Sequence, residues 1–284
     1  MQIDRFELAD IHHPVVLAKT IHTLLGELEK AVPITEVARE LDIQEVRVDR
    51  FGGFEGMLLT DKARSTGCIL ANSSKGNRRA RFTIAHELGH FLMERHQLSD
   101  GNGFKCMAQD IRESREGRMH LRQETQANQF AIELLAPAYL MTSLFKTDPD
   151  LRDAQRLRDH LDLSLEACVR RMVSSRDEPL AAVWSFKGQV RYFVKNDGFP
   201  FIAITRNGPL PKTTVAHHAT ANGRQGFTEM DETDPYVWTG RSHVELFEQT
   251  RVAPNGHAVT LLWAELPDED DGSGLRELGM PGFR

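Results

Sequence analysis

The chain has 284 residues, 40% of them hydrophobic and 27% charged, the make-up of an ordinary globular protein. Its 41 acidic residues against 35 Lys and Arg leave a net charge of −6, so direct binding to nucleic acid, which calls for a strongly basic face, is not expected. Cys68, Cys106 and Cys168 are odd in number and widely spaced, which excludes a disulfide framework and a paired-thiolate zinc site and points to a reducing compartment.

The N-terminus, Met1-Gln2-Ile3-Asp4-Arg5-Phe6-Glu7, has neither a basic start nor an apolar run, and no apolar stretch approaches the ~20 residues of a membrane span. A cytoplasmic protein without membrane partners is expected. Val15 to Leu28 carries Leu17, Ile21, Leu24, Leu25 and Leu28 at helical spacing. Pro33-Ile34-Thr35-Glu36 opens a short helix to Leu41. It resembles the start of a helix-turn-helix, but Glu45-Val46-Arg47-Val48 alternates like a strand where a recognition helix would stand, so that reading is rejected. After the Gly52-Gly53 turn, Gly56–Leu59 and Gly67–Ala71 read as the strands of a hairpin or sheet edge. Asn77 is the expected N-cap of a helix from about Arg78 to Glu94, and a less regular stretch covers Asp100 to Gly117. A second strong helix runs from about Leu121 to Leu135, stopping before Pro137. Leu151 to Val173 reads as two short helices broken near His160 to Leu163, with Ser164 capping the second. From Pro179 the pattern turns to strands, Ala181–Phe186, Val190–Val194 and Val259–Trp263. The acidic, glycine-containing tail after Pro267 is expected to be flexible.

The sharpest feature is His86-Glu87-Leu88-Gly89-His90. Residues i and i+4 of a helix lie on one face, so both imidazoles can reach one ion. Glu87 sits about 100° further round, where its carboxylate can take a proton from a metal-activated water without binding the metal. Ile84, Leu88, Phe91 and Leu92 supply the helical apolar face the motif requires. Gly89, lacking a side chain, lets another backbone pack close to this helix.

Candidates for the third ligand are His96, Glu124 and Glu133. His96 would need a sharp turn after the helix. Met93 is a good helix former, and Leu92-Met93-Glu94 is expected to carry the helix on and point His96 away. Glu124, on the next strong helix, completes a two-histidine, one-carboxylate set with the fourth position open. Asn128, one turn later, can bond the outer nitrogen of a ligating imidazole. Glu133 lies more than two turns away and reads as a solvated charge.

Arg81-Phe82-Thr83-Ile84-Ala85-His86-Glu87-Leu88-Gly89-His90-Phe91, followed by Glu124-x-x-Ala127-Asn128-x-Phe130-Ala131-x-x-Leu134-Leu135-x-Pro137, resembles the ImmA/IrrE metallopeptidases over roughly residues 33 to 140. The resemblance implies a zincin-like domain with His86, His90 and Glu124 as ligands and Glu87 as catalytic base. Zn2+ is the implied cofactor, with Mn2+ or another divalent ion as substitutes. It also implies a protein substrate, a small helix-turn-helix repressor of transcription. Ala136 departs from the methionine many relatives have there, as does the long stretch between His90 and Glu124.

The expected fold class is α+β. The resemblance implies a zincin-like domain over 1–145, and the radiation-response members of that family suggest a helical, helix-turn-helix-like connector over 146–176 and a GAF-like character for the β-rich domain expected over 177–266, ahead of the acidic tail 267–284. Cys106, between the second and third ligands, is a candidate regulatory thiolate as well as a candidate buried hydrophobe. Arg112, Arg115, Arg118 and Arg122 read as a solvated face. Gly67–Ala71 fits either a core strand or one that pairs with an extended substrate. The alternative to a peptidase is a non-enzymatic metal-containing sensor that binds a partner through its C-terminal domain. Glu87 argues against it, because a structural metal site needs no general base.

Overall fold

A computed structural model describes residues 3–97, the backbone of 103–106, and 119–266. The chain divides into two units, Met1–Ser175 and Arg176–Arg284.

In the first unit, α1 (Pro14–Leu25) begins on a proline, whose fixed φ suits a first helical turn, and α2 (Ile34–Glu40) follows. Three strands come next, β1 (Ile43–Asp49), β2 (Gly56–Thr60) and β3 (Gly67–Asn72), then α3 (Asn77–Leu92), β4 (Gly103–Cys106) and α4 (Met119–Leu135). The unit closes with α5 (Ala138–Met141), α6 (Leu151–Leu161) and α7 (Leu165–Ser175). The expected extended segment after Leu41 is β1, which leaves no recognition helix there. Gly76, at φ 99°, occupies the N-cap position of α3, and Asn77 is already helical; Ser164 does cap α7, its Oγ accepting from the Ala167 N–H at 3.1 Å.

The sheet order is β1-β3-β2-β4. β2 and β3 form the expected hairpin, Leu58 opposite Ile69, both buried. β1 joins β3 in parallel and β4 joins β2 antiparallel. β3 is therefore a central strand with both edges paired, and the reading of Gly67–Ala71 as a substrate-pairing edge is corrected: its hydrogen-bonding groups are already used.

Against this sheet lies α3, buried continuously from Thr83 to Leu92. α3 also packs against α4, which in turn contacts α1, where His22 bonds the Leu134 carbonyl at 2.9 Å. The closeness of α3 and α4 depends on Gly89, where a Cβ would meet the Phe130 ring at 2.8 Å. The expected close neighbour was a backbone; it is an aromatic side chain. α6 and α7 are tied to both helices: Arg78 and Arg81 of α3 pair with Asp162, and Arg171 of α7 grips Glu133 of α4 at 2.6 and 2.8 Å. Glu133 is thus an ion-pair partner rather than a solvated charge.

The second unit contains β5 (Leu180–Phe186), β6 (Gln189–Lys195), α8 (Val215–Ala221), β7 (Gly226–Phe227), β8 (Asp231–Glu232), α9 (Pro235–Thr239), β9 (Glu245–Val252) and β10 (His257–Glu265). Its sheet runs β6-β5-β10-β9-β7, with β8 also on β9. Trp238, Phe199, Val183, Leu246 and Leu262 form the core on one face. Buried Glu248 accepts hydrogen bonds from the Ala216 N–H at 2.6 Å and the Trp238 Nε1–H at 3.2 Å. Among the described residues no helix is long and apolar enough to cross a membrane.

Candidate metal centre

α3 and α4 bring His86, His90 and Glu124 together, with one ligand-type atom of each within 4.8 Å of the others. His86 and His90 are one turn apart, and their Nε2 atoms face each other at 3.1 Å. The Glu124 carboxylate bridges them, Oε2 lying 3.1 Å from His86 Nε2 and Oε1 3.2 Å from His90 Nε2. All three side chains are buried.

Both outer ring nitrogens are held. His86 Nδ1 lies 3.1 Å from Asn128 Oδ1 on α4. Because a carbonyl oxygen can only accept, a neutral His86 would carry its proton on Nδ1 and present Nε2 as its ligand-type atom. His90 Nδ1 lies 2.9 Å from His96 Nδ1, and His96 Nε2 lies 3.2 Å from Gln126 Oε1. Two imidazole nitrogens and a carboxylate converging on one buried point, with the outer nitrogens engaged elsewhere, are a donor set that fits a divalent cation. Burial would raise the Glu124 carboxyl, but its bonds to the two histidines hold it well below the usual carboxylate range. Burial drives His90 down to about 4 and His96 to about 3, keeping both neutral. His86 is pulled down by burial, yet its bond to Glu124 and the charges of Glu87 and Glu124 leave it above the usual value.

Glu87, fully buried, lies on the side of α3 that meets β2. A Cβ on Gly56 would overlap Glu87 Oε1 and Thr83 Cγ2, so only glycine lets the strand pass this close to the carboxylate. Gly56 stands opposite Cys106 in the β2–β4 register. Cys106 belongs to β4 by its backbone; its side chain, like Arg112, Arg115 and Arg118 and most of the segment between the second and third candidate ligands, lies outside the described residues. Arg122 is exposed on α4.

His96 is where the sequence reading fails. The helix stops at Leu92, and His96 folds back under His90 instead of pointing away. It is an outer partner of a candidate ligand and not a member of the converging set. Gln126 and Gly56 were missed as well. Gly56 had a local signal, a glycine opening a strand, which can mark a close backbone approach.

Residues 38–173 match the family model described as Peptidase_M78, IrrE N-terminal-like domain. A solved structure titled Mycobacterium tuberculosis transcriptional regulator is similar with a TM-score of 0.59 at 14% identity, over 88% of this chain and 75% of that chain, which establishes a shared fold. The comparison with curated proteins finds no match.

Proposed function

Since the chain carries an M78-family, IrrE N-terminal-like peptidase domain across residues 38–173, we propose that it is a zinc-dependent endopeptidase that cleaves a transcriptional repressor, with Glu87 as general base. The observation that carries this reading is the buried convergence of His86, His90 and Glu124 beside a buried glutamate on the same helix. His86 Nε2, His90 Nε2 and the Glu124 carboxylate would hold the ion. A divalent cation there supplies Lewis acidity, polarising a peptide carbonyl and making a water acidic near neutral pH.

The chain's own groups do the rest. Glu87 takes the proton of the attacking water on its carboxylate and passes it to the nitrogen of the departing peptide. Asn128 orients His86 through Nδ1. Burial of Glu87 against Gly56 fixes the carboxylate in place, so little reorganisation is needed when the proton moves. A purely structural or sensory metal site would have no use for that carboxylate.

An extended substrate needs a strand to pair with. Among the described residues β4 is the outer strand of the sheet on the Gly56 side, and we assign it that role. A folded repressor offers extended backbone only in linkers and locally opened loops, so one or very few cuts are expected. The ImmA/IrrE resemblance supplies the substrate class, a small helix-turn-helix protein. Direct DNA contact is not part of this reading, since a net charge of −6 supplies no strongly basic face. The test is to incubate zinc-loaded protein with the repressor encoded beside its gene and with unfolded casein, and to map the fragments by mass spectrometry. One or two cuts in the repressor and none in casein are expected. Cleavage of casein at many sites would overturn the specific-repressor reading and leave the peptidase reading in place.

A further inference from the structure

The turn after α3 is built by a residue from elsewhere in the sheet. An α-helix leaves its last carbonyls without intrahelical donors. Here Arg64, in the loop joining β2 to β3, buries its guanidinium beneath the end of α3. Nη1 donates to the carbonyls of His90 (2.8 Å), Phe91 (3.2 Å) and Met93 (2.7 Å), and Nη2 donates to the carbonyl of His96. Arg64 adopts a left-handed φ of 51°, and its own N–H is satisfied by the Asp61 carbonyl at 3.0 Å. A planar, five-donor cation at the negative end of the helix dipole stops the helix and binds the returning chain in one stroke. That return puts His96 Nδ1 at 2.9 Å from His90 Nδ1.

Two imidazoles joined nitrogen to nitrogen share one proton, and the direction of the bond matters. If His90 is to bind an ion through Nε2, its proton must sit on Nδ1 and donate to His96 Nδ1. His96 must then be the Nε2–H tautomer, donating to Gln126 Oε1 at 3.2 Å. The reverse chain, with the Gln126 amide donating, would protonate His90 Nε2 and close it as a ligand. We infer that His96 is a positioning residue that sets the tautomer and orientation of His90 by accepting the hydrogen bond from its Nδ1, and that Arg64 fixes the turn that brings His96 there. The inference rests on the reading of His86, His90 and Glu124 as metal ligands.

The experiment has two arms. In the first, zinc affinity is measured by competition with a chromophoric chelator for wild type, His96→Leu and His96→Asn. His96→Leu removes the acceptor at similar bulk and should weaken binding about 10- to 100-fold, the usual effect of losing a ligand's outer partner. His96→Asn places Oδ1 near the lost Nδ1 and should restore binding to within a few-fold of wild type. Unchanged affinity in His96→Leu, or equal loss in both variants, overturns the inference. In the second arm, 15N-histidine NMR of the wild-type protein reads the tautomers directly, whether or not the variants fold. His96 should be the Nε2–H form and His90 the Nδ1–H form; a His96 Nδ1–H tautomer overturns the inference. A wild-type protein that takes up no zinc while His96 remains Nε2–H would instead refute the metal-site reading beneath it.

Discussion

Gly56 lies so close to Glu87 that a methyl group on its Cα would overlap the glutamate Oε1. The candidate base is thus positioned by the absence of a side chain on a neighbouring strand. Gly56→Ala should force the carboxylate or the strand to move while leaving His86, His90 and Glu124 in contact. A displacement near 1 Å costs on the order of 100-fold in rate. Cleavage by the zinc-loaded variant should fall by about that factor with zinc affinity little changed, and parallel turnover and binding measurements would check it.

The three converging side chains predict a graded loss of metal. His86→Ala or His90→Ala should abolish zinc binding, since each removes an imidazole held in place by its own outer partner. Glu124→Ala should weaken it strongly, because the remaining pair lacks the carboxylate that bridges both Nε2 atoms. Full zinc occupancy in Glu124→Ala would show that the third ligand is another residue.

Arg64→Lys tests the capping of α3. Lysine keeps the charge but cannot spread donors over the carbonyls of His90, Phe91, Met93 and His96. Charge-assisted hydrogen bonds to buried carbonyls contribute about 1.5–3 kcal/mol, so a loss of about 2–3 kcal/mol is expected. It should appear as a lower urea midpoint at unchanged slope. A midpoint equal to wild type would mean that the cap adds no net stability.

His22 predicts a pH dependence of the first unit. Its Nε2–H donates to the Leu134 carbonyl at 2.9 Å and its Nδ1 lies 3.2 Å from the Tyr139 hydroxyl, so it joins α1 to the end of α4 in neutral form. Burial lowers its pKa from the usual 6.5, partly offset by the Leu134 bond. The unfolded chain therefore binds the proton more readily. Its contribution is fully present above pH 6.5 and is lost as pH falls below that value toward the lowered one. Thermal stability of the zinc-loaded protein should drop less between pH 7 and 5 in His22→Gln than in wild type. Equal slopes would remove His22 from the account.

The pattern of legibility follows from how far each signal reaches. His86, Glu87 and His90 were readable because helical spacing is local, and Glu124 because α4 is strongly periodic. The end of α3 was not readable. Met93 favours helix, and what stops the chain is Arg64, 32 residues before His96 in sequence and meeting it only in the folded protein. Glu133 looked solvated for the same reason, since its partner Arg171 is 38 residues on. In the second unit β9 was missed because Glu248, Gln249 and Thr250 interrupt any apolar alternation, yet all are buried; Glu248 is satisfied by the Ala216 N–H and the Trp238 indole. β4 was missed because four residues are too few to show a period.

Glu87→Gln separates the proposed general base from the metal site beside it. The most direct test pairs zinc content with repressor cleavage in Glu87→Gln, which keeps shape and hydrogen-bonding capacity but cannot accept the proton. About one zinc per chain, as in wild type, and no cleavage are expected if Glu87 is the base. Cleavage at the wild-type rate by the zinc-loaded variant would contradict it.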